Sequence, residues 1–372
     1  MKLKMSNDQD INISIFGVGL IGGSLAMCFK GKPGLTVTGF SHDESYAEQV
    51  AARGVVDKVT LSIEEAAQDA DYIFLCVPVG RLEEYVTRLS QMALKPGCII
   101  TDVGSTKSSI ADCARRLQFQ EACFIGGHPM AGSERAGVGA ASSLLFENAY
   151  YVLTPPPETP EDQVRSLADL LSHTRAHVVQ VDPEQHDQIV GAISHLPHII
   201  AVALVNQISQ YNDSNPLYQL LAAGGFRDVT RIAASDPVVW RDILVNNRKV
   251  LLPLLQDWNQ EIQKFVSMLE REDGVGIQDA FQKAGAFRNE LPERRKGMIV
   301  SRYDIYLDVP DHPGIIAKIT SELGHNQVNL SNIQIIESRE DVPGVMRLSF
   351  RNVKEQEKAM ELLQSKGYTV YL

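Results

Sequence analysis

Histidine is the side chain that takes up a proton near neutral pH, and His128 stands in a stiff Gly127-His128-Pro129 frame just after a short apolar run at residues 124–126. Ser105 stands in the same relation to the apolar run at residues 98–103, within Asp102-Val103-Gly104-Ser105-Thr106-Lys107. A third run, residues 11–16, ends in Gly17-Val18-Gly19-Leu20-Ile21-Gly22 and opens into Gly23-Ser24-Leu25-Ala26. A proton acceptor, a hydroxyl and a glycine loop are the parts needed to oxidise an alcohol. The base accepts the hydroxyl proton while a hydride leaves for a nicotinamide.

The glycine loop has the context that gives such a motif its meaning, between an apolar strand and the start of a helix. Gly17 makes the tight turn, Gly19 lets backbone approach a pyrophosphate, and Gly22 lets helix and strand pack closely. Leu20 and Ile21 lie within the loop, ahead of the helix opening at Gly23-Ser24-Leu25-Ala26, whose N–H groups receive the pyrophosphate. Val77-Pro78, after the run at residues 72–77, forms an apolar lip for the cofactor. Asp43 lies about 20 residues beyond the loop, where an acid binds the ribose 2′-hydroxyl, and no arginine waits nearby for a 2′-phosphate. The reading is NAD rather than NADP. Ser105 has two readings: a hydrogen bond to the reacting hydroxyl or the imidazole, and the cap of the helix that follows.

A second group of polar residues lies downstream. Ser194-His195-Leu196-Pro197-His198 places two histidines on one helical face, suited to a ligand; no third ligand completes a metal site, and none is assigned. Arg227, Arg231 and Arg241 cluster around Trp240 in a chain with 46 acidic and 35 basic residues. Arginine binds carboxylates in bidentate fashion, and each of these is equally suited to a salt bridge with a glutamate.

Elements must hold these residues in place. Up to residue 182, short apolar runs at 11–16, 35–40, 72–77, 98–103 and 124–126 alternate with helical segments, which implies a parallel sheet covered on both faces. Residues 150–153 and 177–181 add outer strands to it. In an open sheet of this kind the ligand lies off the carboxyl ends of the strands, which is where the candidate residues fall. Residues 183–295 lose the strand pattern. Segments 185–210 and 238–272 are helical, the second with a kink at Pro253, and carry more apolar residues than one subunit buries. They read as a dimerisation domain and predict a homodimer. The polar stretch 290–301 is a linker, and residues 301–372 follow the order βαββαβ, a compact α+β module.

The formal charge of −11 argues against a nucleic-acid partner, which needs a basic face. No apolar run approaches the roughly 18 residues of a membrane span, and the first ten residues do not read as a secretory signal. Five scattered cysteines without a CxxC pair read as core residues of a cytoplasmic protein.

Together the motifs resemble those of the prephenate dehydrogenase family. Residues 17–24 (GVGLIGGS), 102–107 (DVGSTK), 126–134 (GGHPMAGSE), 194–198 (SHLPH) and 226–243 (FRDVTRIAASDPVVWRDI) appear in that family's order. The resemblance implies a Rossmann-like domain followed by a helical dimerisation domain, and NAD-dependent oxidative decarboxylation of prephenate to 4-hydroxyphenylpyruvate. It makes His128 the base, Ser105 its hydrogen-bonding neighbour and Arg231 the ligand of the ring carboxylate. His195, His198 and Trp240 then line the pocket, and Glu134 helps to gate it. Ser41 departs from the family, where an aspartate often ends the second strand.

The terminal module resembles an ACT domain through Asp311-His312-Pro313-Gly314, the helix after it, and Asn329 and Asn332. Such modules bind amino acids, which implies tyrosine as an inhibitory effector; the other reading is an oligomerisation module without a ligand. The competing functions are arogenate dehydrogenase, which acts on the amino analogue, and a non-catalytic amino-acid sensor.

Overall fold

The computed structural model describes residues 10–117, 119, 121–132, 135–291, 303–309, 313–339, 342–350 and 352–371. The chain forms two compact units, one reaching to Lys283 and the other starting at Ala284.

The first unit is built on six parallel strands: β1 (Ile11–Phe16), β2 (Leu35–Phe40), β3 (Lys58–Thr60), β4 (Tyr72–Leu75), β5 (Ile99–Asp102) and β6 (Cys123–Phe124). Their order is β3-β2-β1-β4-β5-β6. Alternate residues feed two cores. Ile13, Ile15 and Phe74 pack with Phe29 on one face, while Phe16, Ile73 and Leu75 pack with Phe40 and Tyr85 on the other. Burial on both faces is what makes these strands read as unbroken apolar runs. The three-residue β3 is too short to give such a pattern.

Residues 150–153 and 177–181 do not extend this sheet as expected. After Phe124 the chain leaves it, and β7 (Gly126–Pro129), β8 (Tyr150–Thr154) and β9 (His177–Gln180) form a separate three-stranded sheet. β8 runs antiparallel to β7 and parallel to β9. The two-residue β6 offers a shorter edge than the four residues of β7. His128 therefore lies within β7, beyond the C-terminal end of β6, rather than in a loop.

The helical part begins with one continuous run, residues 183–212, interrupted only by a π turn at Gly191–His195. Pro197 has no N–H for the carbonyl of residue 193, and the π turn just before it absorbs the mismatch. This run has the length and mean hydropathy (1.7) of a membrane span, although the sequence shows no apolar stretch of that length. Its first turns carry His186 and Asp187, which pack against the strand ends. The kink expected at Pro253 is not where the next helices part: Pro237–Asn246 and Arg248–Glu270 meet at the buried Asn247. Asn247 uses its amide to tie the joint to Asp187 and His195. Leu220, Leu221 and Phe281 of the helical part are exposed.

The second unit is a four-stranded antiparallel sheet of β10 (Tyr303–Val309), β11 (Asn332–Arg339), β12 (Val342–Phe350) and β13 (Val370–Tyr371), in the order β11-β12-β10-β13. Helices Ile315–His325 and Val353–Ser365 pack on it through Ile319, Leu323, Ala359 and Leu363, completing the βαββαβ order.

Candidate active site

The strand order reverses between β1 and β4, and a ligand crevice opens beyond their carboxyl ends. Gly17 sits there at φ +89°, and a Cβ on it would stand 2.6 Å from the Cys76 carbonyl oxygen. A Cβ on Gly22 would collide with the Gly17 carbonyl, while one on Gly19 would meet nothing within 4 Å. Two glycines thus close the turn, and the third leaves open space over the helix Leu20–Phe29. That helix has no side-chain cap and no acid in its first turn, so its leading N–H groups are available to an anion. Val77 lies against the Gly17 turn, and Pro78 precedes the helix Val79–Ser90. Asp43 ends the β2 edge of the crevice. One of its oxygens caps the helix Glu44–Arg53 through Tyr46 N–H at 2.7 Å. These features fit a dinucleotide.

His128 is one end of a hydrogen-bonded chain. Its Nδ1 lies 2.8 Å from Nε2 of His186, whose Nδ1 lies 2.8 Å from the Asp187 carboxylate. Asp182 and Pro183 start the helix that carries both residues, Asp182 as the cap and Pro183 in the first turn. Desolvation raises the Asp187 pKa, but the His186 ring and the N–H groups of Ser108 and Lys107 outweigh it and hold the group below its usual range. An ionised Asp187 only accepts, so the network assigns the tautomers: His186 donates from Nδ1 and accepts at Nε2, and His128 donates from Nδ1. Nε2 of His128 is left with its lone pair. Burial, then the neighbouring His186, Lys107 and His195, push the His128 pKa well below 6.5 and keep the ring neutral.

Asp187 bears on one of the two readings of Ser105, that of a helix cap. Its carboxylate accepts the N–H groups of Lys107 (2.7 Å) and Ser108 (2.8 Å), and so caps the helix Ser108–Leu117 from about 80 residues away. Ser105 is not used as that cap and remains half-buried beside it.

The downstream group joins the same chain of contacts. Asn247 donates to the Asp187 carbonyl at 2.9 Å and to Nδ1 of His195 at 3.0 Å. His195, buried with a pKa lowered to about 4 chiefly by desolvation, meets Trp240 edge-on at 5.9 Å. His198 stacks on the other side of Trp240 with ring centroids 3.5 Å apart, and donates from Nδ1 to the Ser194 carbonyl at 2.8 Å. Burial lowers the His198 pKa; the bond to Ser194 opposes the shift and the charge of Arg231 adds to it. Arg241 is paired with Asp242 at 2.7 Å, and Arg227 donates to the Ala222 carbonyl.

Glu134, Asp311 and His312 lie outside the described residues. In the second unit Gly314 takes a left-handed conformation at the start of its helix, and Pro313 precedes it. Asn329 is exposed just ahead of β11, and Asn332 begins that strand. Sequence reasoning missed His186, Asp187 and Asn247. The Asp182-Pro183 helix start was the one legible sign that His186 and Asp187 lie in the first two turns of a helix.

Comparisons with known proteins agree with the fold. Residues 26–180 match the prephenate dehydrogenase nucleotide-binding domain, residues 182–283 the prephenate dehydrogenase dimerization domain, and residues 303–367 the ACT domain. The chain is 40% identical to the prephenate dehydrogenase of Bacillus subtilis (strain 168), over 97% of this chain and 98% of that one. The crystal structure of prephenate dehydrogenase from A. aeolicus in complex with hydroxyphenyl propionate and NAD+ superposes with a TM-score of 0.70 at 28% identity, covering 78% of this chain and all of that one. Synechocystis arogenate dehydrogenase gives a TM-score of 0.67 at 32% identity, covering 76% of this chain and all of that one. With its glycine-loop crevice, ACT-type module and near full-length likeness, the chain belongs to the prephenate dehydrogenase family.

Proposed function

We propose that the chain catalyses NAD-dependent oxidative decarboxylation of prephenate to 4-hydroxyphenylpyruvate and CO2, with His128 as the base. The observation that carries this reading is the His128–His186–Asp187 chain, which presents a neutral imidazole with its Nε2 lone pair. Gly17, Gly19, Leu20, Ile21 and Gly22 hold the pyrophosphate, Asp43 the ribose, and Val77 and Pro78 flank the nicotinamide. When bound, NAD supplies the acceptor for the ring hydride. Nε2 of His128 takes the hydroxyl proton, and Ser105 hydrogen-bonds the same oxygen. The ring carbon becomes a ketone; the electron pair of the C–CO2 bond then passes into the ring, and the ketone oxygen becomes that of the phenol. The imidazolium faces that oxygen as its negative charge grows. Arg231 holds the ring carboxylate, His195, His198 and Trp240 shape the pocket, and Glu134 gates it.

NADH formation at 340 nm tests the reading. Prephenate-dependent NADH with 4-hydroxyphenylpyruvate as product is the expected result. A rate with arogenate alone would keep the mechanism and change the substrate, and silence with both, with NADP tried as well, would overturn the assignment.

The exposed apolar side chains of the helical part support a homodimer, and the free cysteines accord with a cytoplasmic enzyme. Tyrosine is the effector, bound around Asp311, His312, Pro313, Gly314, Asn329 and Asn332, where the N-terminus of the helix Ile315–His325 receives its carboxylate. A chain ending at Lys296 is expected to keep its activity and lose inhibition by tyrosine. Retained inhibition would place tyrosine in the active site instead.

A further inference from the structure

Asp102 and Lys107 are fully buried, each with a side-chain exposure of 0%, and the lysine ammonium donates to Oδ2 of the aspartate. The same carboxylate accepts the N–H of Gly104 at 2.7 Å and the N–H of Gly127 at 3.1 Å. Gly104 immediately precedes Ser105, and Gly127 immediately precedes His128. One side chain therefore holds both reacting segments by the backbone one residue before each working group. Lys107 adds a third tie, since its own N–H bonds Asp187 at the far end of the histidine chain. The paired glycines before His128 fit this arrangement: a Cβ on Gly127 would stand 2.6 Å from the Asp102 carbonyl oxygen, and one on Gly126 would be 3.3 Å from Lys107 Cδ.

A buried ion pair is a costly way to stabilise a fold, because apolar residues of the same volume often do as well or better. Its place between the two reacting segments points to another use. We propose that Asp102 and Lys107 are a positioning pair that locks the Ser105 loop and the His128 strand in register. The proposal rests on the reading of His128 as the base. His186, with Asp187 behind it, contacts His128, and the charges of Lys107, itself paired with Asp102, and of His195 also act on it. Around Asp102 the Cys76 thiol and the Tyr151 hydroxyl are both pushed up by burial and carry no charge. After burial and His186, the charge of Lys107 opposes protonation of His128; burial lowers the pKa of Lys107 itself, and the Asp102 carboxylate opposes that shift.

Lys107→Met keeps the length of the side chain and removes its charge. The expected result is a kcat lowered at least about 10-fold, with the KM for prephenate and the affinity for NAD within about threefold of the parent. The acid limb of kcat/KM and the NMR titration of the His128 ring, read without substrate or cofactor, both move about one pH unit upward. A merely structural role would lower the folded fraction and move neither. Should Lys107→Met not fold, Asp102→Asn with Lys107→Met leaves no uncompensated charge and is read in the same two ways. An unmoved limb and an unmoved ring titration in the folded variant would overturn the proposal. If the parent is active and His128→Asn is not, that outcome rejects the pair alone; full activity of His128→Asn rejects the base itself.

Discussion

Replacing His128 with asparagine is expected to lower kcat by about 10²–10⁴ while leaving the dissociation constant for NAD nearly unchanged. Asparagine can still hydrogen-bond His186, but it cannot take the hydroxyl proton. The glycine loop that holds the pyrophosphate lies on another strand end, so cofactor binding is spared. The pH profile carries the second half of the expectation. Burial and the neighbouring His186, Lys107 and His195 lower the His128 pKa, so the free enzyme keeps its base form as the pH falls below 6.5. The rate is lost only when the pH falls through the depressed value, so the acid limb of kcat/KM lies below the ordinary histidine range. His128→Asn flattens that limb. Steady-state kinetics across pH, with calorimetric titration of NAD, check both halves; near-normal turnover would remove His128 from the chemistry.

Much of this site was legible because its signals are local. The glycine loop announces itself by spacing, and Gly127-His128-Pro129 by its place after an apolar run. What was not legible depends on segments far apart in the chain. His186 reaches His128 across 58 residues and Asp187 caps the helix Ser108–Leu117 across about 80, and no periodicity reports such pairings. The cap of the helix Ser108–Leu117 was not legible for the same reason, since it comes from Asp187. Strand existence was readable from residues 150–153 and 177–181, but sheet membership was not, because it turns on the direction of β7 after a two-residue β6. The break between the helices Pro237–Asn246 and Arg248–Glu270 was not legible for a related reason. Proline is the visible helix breaker, yet the helices part at Asn247, where a buried amide binds two other elements.

Arg231→Ala is the second large effect. Among the three candidate arginines, the family resemblance singles out Arg231. The charge of Arg231 is felt by His198, the ring stacked on Trp240. A carboxylate docked on this face is bound in the ground state and the transition state alike until CO2 leaves, so losing its arginine costs mainly binding. The expected result is a KM for prephenate raised by an amount corresponding to about 2–4 kcal/mol, with kcat changed far less. Arg231→Lys should recover only part of it, because an ammonium keeps the charge and loses the bidentate fork. Steady-state kinetics with prephenate measure both variants. An unchanged KM in Arg231→Ala would pass the role to Arg227 or Arg241, and for Arg241 that would require it to give up Asp242 when substrate binds.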